Sequence, residues 1–173
     1  MNTRPFISNY GDKKPTIHPE ALVDVSARII GDVLLEEFTT VWPMAVLRAD
    51  SAAIKIGRRT AVLDLAMVEA PGGFPVEIGE EALISHGAMV HGAKIKDRVL
   101  VGIGAIVLDG AVVESGSIIG AGSLVTRQTH IPANSLVLGS PGRVVRQTTA
   151  GERDDLIKQI QGLIDKSRIV MRG

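Results

Sequence analysis

Two histidines lie in the stretch S-H-G-A-M-V-H-G, residues 85–92, each followed by glycine, and they are half of the four in the chain. At neutral pH an imidazole offers two chemistries: it ligates a divalent metal through a neutral ring nitrogen, or it takes and returns a proton. The separation of His86 and His91 fits neither regular element that would bring two rings together, because a helical metal pair needs a spacing of four and a strand needs an even one. Whether the two rings serve one centre depends on the elements that carry them.

Those elements are written in a period of six. Stepping from Ile17 gives Ile17, Val23, Ile29, Leu35, Val41 and Leu47, and the slot four residues after each holds Ala21, Ala27, Val33, Thr39, Ala45 and Ser51. The pattern returns at Ile56, Val62 and Val68, at Ile78, Ile84 and Val90, and over the run Ile95, Val101, Val107, Val113, Ile119 and Val125. Neither a 3.6 nor a 2.0 period describes it. Hexapeptide repeats predict a parallel β-helix, an all-β solenoid with three six-residue faces per coil, the aliphatic slot stacked inward and the small slot at the turns. Gly31, Gly57, Gly79, Gly102, Gly104, Gly120 and Gly122 are expected at corners that need unusual φ. The narrow interior accounts for 3% aromatic residues beside 45% hydrophobic content. The solenoid is expected over residues 1–147, ending at G-S-P-G. A C-terminal helix over 148–173 should open on a Thr149/Glu152 capping box and pack its stripe of Leu156, Ile160, Leu163 and Ile164 on the prism or on a neighbour's prism.

Composition narrows the function. Lys plus Arg and Asp plus Glu are both 19, with no like-charge run, which argues against nucleic acid and membrane surfaces as partners. The chain has no cysteine, so thiolate chemistry is excluded. No apolar run is long enough to span a bilayer and the opening M-N-T-R-P-F-I-S-N-Y does not read as a leader, so a cytoplasmic location is expected.

The repeat breaks at R-A-D-S-A-A after Leu47, at A-P-G-G-F-P after Glu69, and after Val90, where one residue is missing before Ile95. With the loop after Glu69 discounted, His91 lies one 18-residue coil beyond Glu69, and both follow an aliphatic slot residue, so they should stack. His86 lies on the same coil as His91, roughly 16 Å away along the chain at about 3.3 Å per residue. Zinc needs its nitrogens within about 2.1 Å. The two rings of one chain are therefore not expected to share an ion unless a second copy supplies one of them.

At this point the sequence resembles the γ-class carbonic anhydrases and their relatives. The resemblance rests on V-W-P-M-A-V-L-R-A-D (41–50), S-H-G-A-M-V-H-G (85–92), V-G-I-G-A-I-V-L-D-G-A-V (101–112), I-I-G-A-G-S-L-V (118–125) and L-G-S-P-G-R-V-V-R (138–146). It implies a left-handed β-helix, a hand the repeat alone does not set, and a homotrimer with Zn2+, or Fe2+ or Co2+, at each of three interfaces. His91 and position 69 would come from one chain and His86 from its neighbour. The implied reaction is reversible CO2 hydration, a lyase activity, with CO2 or bicarbonate as the small-molecule substrate. Arg48 and Asp50 match an R-G-D-like element at the seam, and Asp64 ends the segment the family writes N-x-Q-D; these three are the candidate catalytic groups. The plainer reading of Arg48 and Asp50 is an interface salt bridge, and that of Glu80 and Glu81 a solvated turn.

Three departures stand out. The first histidine ligand of the family falls on Glu69, its asparagine and glutamine fall on Ala61 and Leu63, and a tyrosine of some members aligns with Asn134. Ala61 and Leu63 are expected to dry the site. Three neutral imidazoles leave the full metal charge to acidify water, whereas a glutamate cancels part of it, so CO2 hydration is expected to be weak or absent. Two rivals remain. One is a hexapeptide acyltransferase in which His86 or His91 acts as general base toward an acyl-CoA acceptor. The other is a metal-free structural or binding trimer in which Glu69 pairs with a histidine or an arginine.

Overall fold

The computed structural model describes residues 6–171, so the first five residues of the opening segment and the last two of the chain lie outside it. The described chain winds into a left-handed parallel β-helix of about seven turns, followed by one helix, Ala150–Val170. No helix among the described residues is long and apolar enough to cross a membrane.

Each coil lays one short strand on each of three faces. The histidine face stacks residues 28–31, 46–49, Met67–Glu69, Met89–His91, Ile106–Val107 and Leu124–Val125. The charged face stacks 34–35, 54–56, Val76–Ile78, Lys94–Ile95, Val112–Val113 and His130–Ile131. The helix face runs from Leu22–Val23 through Ala61–Val62, Leu83–Ile84 and Leu100–Val101 to Ser135–Leu138. Residues of the six-step column from Ile29 through Val90 to Val125 are at most 2% exposed and form one core. Burying such a side chain stabilises by about 1.5–3 kcal/mol, and the column repeats that gain on every coil.

The corners use left-handed backbone more broadly than glycine content suggests. Met44, Arg59, Leu65, Glu81 and Arg98 all have φ between 52° and 61°. Gly31, Gly104 and Gly122 have positive φ as expected, but Gly57, Gly79, Gly102 and Gly120 do not. Gly102 is required by proximity instead: a Cβ there would stand 2.7 Å from the Ala121 nitrogen and the Ile119 carbonyl of the next coil.

The slip after Leu47 is a bulge. Gly31 pairs with Ala49 and Val33 with Ile54, so Asp50 to Ala53 stand opposite Asp32 alone. Lys13 holds the bulge, donating from Nζ to the Asp50 and Ser51 carbonyls at 2.6 and 3.0 Å. G-S-P-G does not simply stop the solenoid. It reverses the chain into Arg143–Gln147, which pairs antiparallel with Ser135–Leu138. The capping box at Thr149 and Glu152 then starts the helix, whose Leu156, Ile160 and Ile164 pack on Ala61, Leu63 and Leu83 of the same chain.

Candidate functional site

His86 and His91 sit at the two ends of the histidine face. His86 is in the turn that enters Met89–His91 and His91 closes that strand, each followed by a left-handed glycine, Gly87 and Gly92. His91 pairs in register with Glu69, and Glu69 with Arg48. The structure thus brings Arg48, Asp50, Glu69 and His91 to one edge, and sets His86 with Asp64 on the other.

On the His91 edge the charges alternate coil by coil. Arg48 Nη2 donates to Glu69 Oε1, and Arg48 Nε lies 3.5 Å from Asp50 Oδ2. The bond to Glu69 raises the Arg48 pKa above its ordinary value against the opposing effect of burial, with further attraction from the Glu69 and Asp50 charges. Arg48 Nε is buried without a hydrogen-bond partner, although the outer part of the guanidinium reaches solvent. One coil further, His91 Nδ1 pairs with Asp109 Oδ1, and Arg127 Nη2 is 3.0 Å from Asp109 Oδ2. A carboxylate accepts and does not donate, so Nδ1 carries a proton, and the other ring nitrogen is Nε2. That nitrogen is 3.8 Å from Glu69 Oε2, beyond hydrogen-bond reach.

The separation has a chemical meaning. Two ligands on one tetrahedral zinc, each about 2.0–2.2 Å from the ion, stand about 3.3 Å apart. Glu69 Oε2 and His91 Nε2 are within half an ångström or so of that span, with their other polar atoms already engaged. Among the described residues of one chain, no three His, Asp or Glu side chains converge on a common point.

The His86 edge carries the other histidine of the pair. His86 Nδ1 is 3.1 Å from Asp64 Oδ2, which again leaves Nε2 free, on a half-exposed ring. Exposed apolar side chains flank it on neighbouring coils: Met44 and Leu65 are each 60% exposed and Ile103 is 59% exposed.

Several expectations are corrected. Ala61 and Leu63 do not dry the site, because the C-terminal helix covers them on the helix face. Asn134 is on the far edge, where its carbonyl accepts from the Thr148 nitrogen at 2.7 Å. Glu80 and Glu81 are not merely solvated: Arg58 lies 2.9 Å from Glu80, and Arg59 and Arg98 lie 3.2 and 3.0 Å from Glu81. Asp109 and Arg127 were missed: the coil after His91 is one residue short, so Asp109 lies one position past the 17-residue register step, and Arg127 follows it by one 18-residue coil.

The geometry can be set beside known proteins. A family model described as bacterial transferase hexapeptide (six repeats) matches residues 92–127. A protein called probable carbonic anhydrase from Methanocaldococcus jannaschii is 51% identical over 126 residues, 73% of this chain and 79% of that protein. This chain belongs to the γ-class carbonic anhydrase-like hexapeptide-repeat proteins. A carbonic anhydrase of Geobacillus kaustophilus is 33% identical over 94% of this γ-class chain and 90% of its own. The crystal structure of a hexapeptide transferase family protein from Anaplasma phagocytophilum superposes with a TM-score of 0.90 at 32% identity, covering 94% of this chain and 96% of that one.

Proposed function

We propose that this chain works as a homotrimer with a divalent metal at each subunit seam, ligated by Glu69 and His91 of one protomer and His86 of the next, and that its CO2 hydration is weak or absent. The observation that carries the reading is the 3.8 Å between Glu69 Oε2 and His91 Nε2, too long for a hydrogen bond and near the span of two ligands on one ion. The opposite edge supplies His86 beside exposed Met44, Leu65 and Ile103, a surface that a second copy would cover. Zinc fits a two-histidine, one-glutamate set; iron and cobalt accept the same donors.

A cation held there supplies Lewis acidity, the chemistry that acidifies water in carbonic anhydrases. Glu69 brings a negative charge where a third imidazole would bring none, which weakens that effect. Arg48, bonded to the other carboxylate oxygen, offsets part of the charge and fixes which oxygen faces His91. Asp50 holds Arg48 from the opposite side.

The test is metal content and mass of the protein purified from zinc-replete medium. The expected result is one metal per chain in a particle of three chains. His86→Ala should abolish metal binding although each protomer keeps Glu69 and His91. A monomer that binds metal, or a trimer that binds none, overturns the reading. Glu69→His should raise CO2 hydration measured by stopped flow.

A second reading is supported by the Asp109–His91 pair, which is what a general base toward an acyl acceptor requires. It predicts saturable acetyl-CoA binding, and fails if none is seen with the metal-loaded and metal-free protein.

A further inference from the structure

His91 is fixed more tightly than its place at a strand end requires. Its Nδ1 meets Asp109, which stands on the next coil one residue past the register position of His91, and Asp109 is itself 14% exposed and tied to Arg127. The backbone beside both residues is cleared for the loop inserted after Glu69. A Cβ on Gly92 would come within 2.7 Å of the Phe74 Cβ and 3.0 Å of Asp109 Oδ1, and one on Gly110 within 3.4 Å of Phe74 Cε1. Phe74 therefore lies along Gly92 and Gly110, against the flank of the pair, and limits the water that could compete for Asp109. A charge-assisted hydrogen bond shielded in this way is about twice as strong as a neutral one.

We propose that Asp109 is the positioning residue of the seam: it holds the His91 ring in the tautomer with the proton on Nδ1, so that the Nε2 lone pair faces Glu69. Its own oxygens do not reach the reacting centre; Asp109 acts through His91. Arg127 steadies Asp109 from the coil above, and Phe74 screens it. A free imidazole favours the opposite tautomer, with the proton on Nε2, so without Asp109 the ring would present a hydrogen where the proposed site needs a lone pair. The metal-affinity part of this inference rests on the ligand set proposed above, whereas the tautomer part stands without it.

The experiment separates the two. Nitrogen chemical shifts of 15N-histidine-labelled, metal-free protein at about pH 8, above the ordinary imidazole pKa, report the tautomer of His91 directly. The wild type should show the Nδ1-protonated form. Asp109→Ala should move His91 largely to the Nε2-protonated form. Asp109→Asn, whose amide oxygen still accepts, should keep the wild-type form. Asp109→Leu fills the space without an acceptor and replaces the alanine variant if that one fails to fold. Zinc affinity by chelator competition should fall 10- to 100-fold in the alanine or leucine variant and less than tenfold in the asparagine variant. The proposal is overturned if the alanine or leucine variant retains the Nδ1-protonated ring, or if asparagine is as damaging as alanine. If the wild type takes up no zinc, the ligand set fails, and the tautomer comparison alone judges Asp109.

Discussion

Two edges of the prism stack opposite charges by the same device and reach different results. On the edge between the charged and helix faces, Arg58 pairs with Glu80, and Arg59 and Arg98 share Glu81. Arg59 reaches on to Gln161 of the helix at 3.0 Å. Those guanidiniums and carboxylates answer one another within the chain. On the His91 edge the order Arg48, Glu69, His91, Asp109, Arg127 also alternates, but it does not close: Arg48 Nε is buried without a hydrogen bond and His91 Nε2 stands 3.8 Å from Glu69. Buried polar atoms are nearly always satisfied, so the unpaired Arg48 Nε sets this ladder apart from the other.

The largest effect should come from the surface that the open ladder is proposed to meet. Leu65 sits at a left-handed corner with φ 61° on the His86 edge, and Arg59 at a left-handed corner with φ 57° on the closed edge. Leu65→Asp should reduce the particle from three chains to one by light scattering, while far-ultraviolet circular dichroism stays unchanged because the side chain is exposed in the single chain. Arg59→Gln should leave the trimer intact. Dissociation by the second change and not the first would assign the seam to the wrong edge.

That contrast also shows what could be read from residue order. The six-residue period carries the solenoid because every coil repeats the same contacts, so register follows from counting. The pairing of Glu69 with His91 came from that count. The count does not single out Asp109, because the coil after Val90 is one residue short and sets the position before Asp109 level with His91. Other features are set by contacts far apart in sequence. Ala61 and Leu63 look like a drying of the site until the helix some 90 residues later is seen to cover them. Arg143–Gln147 carries no repeat, and its antiparallel return depends on the edge that Ser135–Leu138 leaves open. Gly57 and Gly102 read as left-handed corners, but their need is close approach between coils, which only stacking reveals.

A smaller effect should separate the two ladders in stability. Arg48 forks between Glu69 and Asp50, and Glu69 is 19% exposed. Arg48→Ala leaves that carboxylate without its cation and should lower unfolding stability by about 1 kcal/mol in urea, after allowance for the part of Arg48 that solvent reaches. Arg48→Lys should recover little, because a single ammonium cannot reproduce the fork. On the closed edge Arg58→Ala should cost less, since both partners are solvent-facing. Equal losses at the two positions would mean that the open ladder is no less satisfied than the closed one.

The smallest effect is a pH dependence confined to closed pairs. Arg58 lowers the Glu80 pKa on the closed edge. At the start of the helix, Arg146 and then the Thr149 backbone lower Glu152 from 4.5 to about 2. A carboxylate whose folded pKa is depressed binds fewer protons folded than unfolded, so its stabilisation is fully present above the unfolded value and is lost as pH falls toward the folded one. For Glu152 the window runs from about pH 4.5 down to about 2. Urea midpoints taken across it should fall for the wild type, and Glu152→Gln should flatten that decline while lowering the midpoint at neutral pH, because glutamine keeps an acceptor for the Thr149 nitrogen but loses the charge that Arg146 meets. Parallel slopes in the two proteins would show that the capping carboxylate gains no charge stabilisation on folding, and that closed pairs at this solenoid's surface act through shape alone.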